Sequence, residues 1–334
     1  MTLVARLDTA QRRHPVLGFP LAVAYKFVDD QGGLLAALLT YYAFVSLFPA
    51  LLLLTTISGI VLAGDPGLQQ KLVDSTLSEF PVIGQQLTRP GQLSGGTAGV
   101  VIGILGALYG GLGVGQAVQN ACNTAWAIPR NSRPDPIRSR VKSFVLLLIV
   151  GTALLSATIL GSWVSSSGVV GSVGGAFTML GALVINIIGF DAAFRLSTAR
   201  KLRIIDTLLG SVLAAVIWQL LQRFGTVYVE RVIKHASEIN SVFAVVLGLL
   251  AFLYLGFVAF VICLEINVVR VDHLYPRALL TPFTDNVRLT AGDERVYTTQ
   301  AQAQRAKGFE EVTVEFDAPA AVDEKRSPTE NADG

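Results

Sequence analysis

The chain has 334 residues, 52% hydrophobic and only 15% charged, with 26 Lys and Arg against 24 Asp and Glu for a formal net charge of +2. An ordinary soluble domain carries about 25% charged residues, so the composition argues against a soluble globular protein, while the net charge by itself says little. A transmembrane β-barrel is excluded by pattern, because its strands would alternate in polarity over about 10 residues.

The apolar residues are clustered. Segments 34–62, 99–118, 144–164, 169–190, 208–224 and 242–269 each run about 17 residues or more with at most one full charge. Crossing ~30 Å of hydrocarbon takes about 20 apolar residues in a helix, and one soluble core does not hide six such segments. The fold class read here is an all-α, polytopic membrane helix bundle of about six transmembrane helices with short interfacial amphipathic helices. Three regions follow: a cytoplasmic N-terminal segment 1–33, a transmembrane domain 34–275 and a polar, largely disordered cytoplasmic tail 276–334.

In chain order, 20–30 predicts a short interfacial helix, with Pro20 near its start and an apolar face of Leu21, Ala24, Phe27 and Val28. No apolar core with a small-residue cleavage site precedes the first span, so no cleaved signal peptide is expected. Pro49 removes one backbone bond inside span 1 and predicts a kink. Between 64 and 96, Leu68, Leu72, Thr76, Leu77 and Phe80 recur at helical spacing and predict a helix on the outer surface. Spans 3 and 4 form a tight hairpin around 165–167, and 228–239 is a short amphipathic outer segment. After about 282 the chain turns polar; Val312 to Phe316 would suit one short strand without a partner.

The cations fix an orientation. Arg6, Arg12, Arg13 and Lys26 precede span 1; Arg130, Arg133, Arg138, Arg140 and Lys142 separate spans 2 and 3. Arg195, Arg200, Lys201 and Arg203 separate spans 4 and 5, and Arg270, Arg277 and Arg288 follow span 6. The opposite loops hold only Lys71, Arg89, Arg231 and Lys234, with Arg223 at a span end. Lys and Arg stay in cytoplasmic loops, so both termini are expected in the cytoplasm. Cys122 and Cys263 then lie near cytoplasmic span ends and read as small apolar residues.

Span 2 carries the clearest internal pattern. Gly99, Gly103, Gly106, Gly110 and Gly113, continued by Ala117 and Asn120, recur at spacings of three and four and place one small-residue stripe on a single face. Such a face serves close helix packing, or it lines a groove for substrate or water. Polar groups inside spans are costly and therefore informative. Glu265, five residues before Arg270, is either an interfacial carboxylate paired with a basic loop or an intramembrane group serving transport. A polar cluster of Glu265, Asn267, Asn120 and Asn123 is expected at the inner mouth, with Arg195 a further candidate partner. His14, His235 and His273 fall on opposite sides of the membrane and hold no common metal; no phosphate-binding loop or nucleophile elbow is present. No enzyme, metal or cofactor is expected.

Four stretches resemble the YihY/BrkB family of bacterial inner-membrane proteins. These are Leu39-Thr40-Tyr41-Tyr42-Ala43-Phe44-Val45-Ser46-Leu47-Phe48-Pro49; the stretch 109–126 with Asn120 and Asn123; 210–228 with Ala214, Ala215, Trp218 and Tyr228; and 246–267, ending Cys263-Leu264-Glu265-Ile266-Asn267. Cys122-Asn123 and Cys263-Leu264 depart from the family pattern, while Glu265 and Asn267 match it. The resemblance covers roughly 15–275 and implies six spans in a bacterial inner membrane. Relatives have carried a ribonuclease label, and others are linked to virulence or envelope lipid export. Transport or flipping of a lipid-like envelope component is the expected function, against a non-transporting scaffold for envelope assembly. Membrane lipids and envelope-assembly proteins are the expected partners, and nucleic acid is not.

Overall fold

The computed structural model describes residues 8–9, 11–61, 96–166, 172–231, 238–279, 281 and 287–316. Eight α-helices carry the architecture: α1 Pro15–Asp29, α2 Gly32–Val61, α3 Gly96–Ala125, α4 Pro136–Ser166, α5 Ser172–Ser197, α6 Ile204–Arg231, α7 Glu238–Val271 and α8 Ala291–Ala303. A 3-10 turn, Arg130–Ser132, lies between α3 and α4. Helices α2 to α7 coincide with the six apolar segments, and among the described residues three stretches, Met179–Ser197 of α5, Ile204–Gly225 of α6 and Val246–Val271 of α7, are long and apolar enough to cross a bilayer. No strand occurs among the described residues, and 312–316 has no regular secondary structure. The expected outer-surface helix within 64–96 lies outside the described residues but for residue 96, as do the α4–α5 turn, 167–171, and residues 232–237.

The long helices outrun the apolar segments at one end. α4 begins at Pro136, through Arg138, Arg140 and Lys142, and α5 continues through Asp191 and Arg195. Hydropathy reports only the part of a helix that meets hydrocarbon, whereas backbone bonding carries the helix on into the polar boundary. This end, called the basic end below, gathers α1, the α3–α4 and α5–α6 connections and the chain after α7.

Glycine sets the packing of α2, α3 and α4. A Cβ on Gly106 would lie 2.6 Å from Pro49 Cγ, one on Gly110 2.6 Å from Ser46 Cα, and one on Gly113 2.7 Å from Tyr42 Cε1. From Gly106 to Gly113 the small-residue stripe is thus filled by α2, which is the packing role. Contacts of Gly99 lie outside the described residues. A second glycine face, not legible in the stripe, meets α4: a Cβ on Gly115 would lie 2.8 Å from Ser143 Cα, and one on Gly111 3.0 Å from Leu147 Cδ1. Gln119 continues that face, donating to Ser139 O at 2.9 Å and Ser143 Oγ at 2.9 Å.

α7 is the central element, packed against α1, α2, α3 and α6. Its Phe260 stacks on Phe194 of α5 at 4.8 Å between ring centroids, and Val261, Leu264 and Val268 are buried around it.

The expected apolar face of α1 is divided: Ala24 and Val28 are exposed, while Leu21 and Phe27 are half-buried. Ala22, Val23, Tyr25 and Lys26 are buried against the bundle, while Leu17 and Val28 are each 57% exposed. α1 thus presents apolar residues on both sides, Ala22 and Val23 to the bundle and Leu17 and Val28 outward as suits a helix at a lipid boundary, while its polar Lys26 faces inward. The turn into α2 enforces this. Gln31 takes φ 55°, and a Cβ at Gly32 would fall 2.8 Å from Phe27 Cγ, so only glycine follows the reversal.

The region after α7 also departs from the expected disordered tail. Thr290 and Asp293 form a reciprocal capping box that starts α8, and Val296 is fully buried against the bundle. A mostly polar helix orders here because its few apolar residues and Asp293 find partners across the chain, which composition alone does not reveal. Residues 317–334 lie outside the described residues.

Candidate functional site

The basic end contains a buried charge cluster built from both ends of the chain. Lys26 projects from α1 with 1% of its side chain exposed, and Glu265 projects from α7 with none. Lys26 Nζ donates to the carbonyl of Ala125 at 3.1 Å. That carbonyl belongs to the last residue of α3, where a cation opposes the helix dipole favourably. Lys26 also pairs closely with Asp30, which caps α1, and stands 3.7 Å from Glu265 Oε2. Asp30 in turn accepts from Gln300 of α8 at 2.8 Å. Burial disfavours the ammonium, but Glu265 and Asp30 outweigh it and hold the Lys26 pKa above its usual value.

A second cation adjoins the first. Arg277 is fully buried, pairs closely with Asp293 of α8, and reaches Asp29 of α1 at 3.0 Å. Its guanidinium lies 5.9 Å from the Tyr25 ring centroid and 5.4 Å from that of Tyr297. Asp293 also accepts from Ala278 N at 2.9 Å and Thr290 N at 2.9 Å. One carboxylate therefore caps α8 and anchors Arg277. Burial raises the Asp29 pKa, partly offset by Arg277.

The charges do not balance evenly. Asp29 and Asp293 share Arg277, and Asp30 holds Lys26 at close range. Glu265 is left with neither carboxylate oxygen accepting a hydrogen bond among the described residues. An unsatisfied buried carboxylate is expensive, so one ammonium faces two competing carboxylates.

The expected four-residue cluster is not assembled. All four residues lie at the basic end but point elsewhere. Asn267 Oδ1 accepts from Gly210 N at 2.8 Å, joining α7 to α6. Residues two apart on a helix point about 200° apart, so Glu265 and Asn267 serve opposite neighbours. Asn123 accepts from Ala199 N at 2.8 Å and stitches α3 to the α5–α6 connection. Asn120 is exposed and accepts from Arg133 at 3.1 Å. Arg195 pairs with Asp191 at 3.4 Å rather than with Glu265. Pro49 sits inside α2, against Gly106. Cys122 and Cys263 are free and buried.

Sequence reading missed Lys26, Asp30, Arg277 and Asp293. A signal was present in Lys26-Phe27-Val28-Asp29-Asp30, where a cation with carboxylates three and four residues on interrupts an apolar helix.

The chain matches a family model described as virulence factor BrkB over residues 23–282. No curated protein and no solved structure matches it. The matched stretch takes in Lys26, Asp29, Asp30, Glu265 and Arg277, and stops before the α8 partners Asp293 and Gln300.

Proposed function

The chain belongs to the virulence factor BrkB family, and from that membership and its buried charge cluster we propose that it transports or flips a lipid-like, amphipathic envelope component across a bacterial inner membrane. The observation that carries the proposal is the buried Glu265, which meets Lys26 only at 3.7 Å while Lys26 sits closer to Asp30. A bundle that served only as a packed scaffold gains little from burying an ion pair, since apolar side chains of similar volume stabilise at least as well. An ammonium shared unequally between two carboxylates is instead a two-position element. With Lys26 on Asp30, α1 is tied to itself and to α3; with Lys26 on Glu265, it is tied to α7. Alternating states need such an element. The Lys and Arg bias supports an orientation with the basic end, and both termini, in the cytoplasm.

The test is leaflet-resolved lipid analysis after depletion. Depletion shifts one amphipathic component toward the inner leaflet; wild type restores it, and Glu265→Gln, at normal folded yield, does not. Unchanged leaflets on depletion would end the transport reading. The filled glycine face between α2 and α3 favours the alternative of a membrane scaffold for envelope assembly. That reading predicts altered recovery of envelope-assembly partners with unchanged leaflets.

A further inference from the structure

A row of polar side chains faces outward on α3, away from the charge cluster. Tyr109, Gln116 and Asn120 are spaced by seven and four residues, which at about 100° per residue keeps them within about 40° of one another. Tyr109 is 68% exposed, and Gln116 and Asn120 are exposed as well. The glycine faces explain why this side stays open. Gly106, Gly110 and Gly113 meet α2 on one flank, Gly111 and Gly115 meet α4 on the other, and the outward arc between them carries these three residues. Neither the Tyr109 hydroxyl nor the Gln116 amide has a partner among the described residues. Eleven residues of helix rise about 16 Å, roughly half of the hydrocarbon thickness. The row therefore runs from the middle of the apolar segment to its basic end.

Two cations stand where the row meets that end. Arg133 donates to Asn120 Oδ1 at 3.1 Å and to Ile128 O at 3.2 Å, and Arg130 precedes it in the 3-10 turn and is exposed. Neither pairs with a carboxylate among the described residues; the nearby Asp135 pairs with Arg138 at 3.2 Å. Polar side chains turned toward lipid are costly unless a ligand or water meets them, and paired guanidinium groups match a phosphate.

We propose that the outward face of α3, from Arg130 and Arg133 through Asn120 and Gln116 to Tyr109, is a binding track for the head group of an anionic phospholipid. The phosphate docks on the two guanidinium groups, and Gln116 and Tyr109 offer hydrogen bonds to a head group drawn toward the bilayer middle. Exposed Leu105, 64% accessible, gives the acyl chains an apolar neighbour on the same face. As a substrate route this rests on the transport reading above; as a binding site it is measurable without transport.

The full chain, purified in detergent, is tested by native mass spectrometry for retained phosphatidylglycerol against phosphatidylcholine. Wild type retains phosphatidylglycerol preferentially. Arg130→Gln with Arg133→Gln lowers that retention about tenfold, equivalent to about 1.4 kcal/mol, and Gln116→Leu lowers it less. Arg203→Gln, which removes an exposed cation elsewhere at the same end, leaves it unchanged. Equal loss with Arg203→Gln, or full retention in the double variant, overturns the site. Altered leaflets on depletion together with such a result would remove this track while leaving transport standing.

Discussion

Lys26 Nζ stands 3.7 Å from Glu265 Oε2, with both side chains shielded from solvent, so the first helix and the last long helix of the bundle meet through charge. The pair is asymmetric. Lys26 has further partners in Asp30 and the Ala125 carbonyl, whereas Glu265 has no hydrogen-bond donor among the described residues.

That asymmetry orders two substitutions. Lys26→Met strands Asp30 and Glu265 together and is expected to cost about 3–5 kcal/mol. Glu265→Gln removes the carboxylate that Lys26 meets only at 3.7 Å and that accepts no hydrogen bond among the described residues, and is expected to cost far less. Adding Asp30→Asn and Glu265→Gln to Lys26→Met should recover most of the loss. Thermal unfolding in detergent reads all of these; a Glu265→Gln loss as large as that of Lys26→Met would contradict the placement of the charges.

The α2–α3 contact predicts a steric result. Gly106→Leu and Gly110→Leu push into Pro49 and Ser46, and overpacking of this kind costs about 1–3 kcal/mol or more. Leu105→Ala, on the outward face, should be mild. Folded yield by size-exclusion chromatography separates them, and similar yields for all three would count against the close approach.

At α6 and α7, a Cβ on Gly210 would meet Asn267 Cγ at 2.7 Å and also press on the Cys263 carbonyl. Gly210→Ala should therefore be damaging, and Asn267→Ala by itself should lose about 1 kcal/mol for its hydrogen bond. Combining them should not restore stability, because the backbone oxygen remains. Full recovery in the double variant would show that only the side chain matters.

Asp293 joins the α8 cap to Arg277. Asp293→Ala should release α8 while leaving α2 to α7 folded, seen as faster proteolysis within 287–316 with little change in bundle unfolding. Unchanged protease resistance would mean that α8 is held by its apolar contacts alone.

Reporter fusions at Thr2 and Gly334 should both give cytoplasmic signals, following the Lys and Arg bias. An external signal at either end would overturn the proposed orientation.

The sequence by itself determined the number, type and approximate position of the long helices. Crossing hydrocarbon is a local demand: each segment must satisfy its own backbone bonds and bring enough apolar residues, and segments such as 144–164 and 242–269 show that directly. Glycine spacing likewise revealed that one face of α3 was small, and Gly106, Gly110 and Gly113 do pack closely. Which residues meet was decided only by tertiary structure, because that depends on the rotation of each helix about its axis and on reversals between helices. Glu265 and Asn267 are two residues apart yet face different neighbours. Lys26 points inward because the chain reverses at Gln31 and Gly32, and Arg277 finds Asp293 because a polar stretch folds back as α8. Pairings between residues so distant in sequence leave no periodic trace, since a single buried charge needs one partner in space and no pattern along the chain.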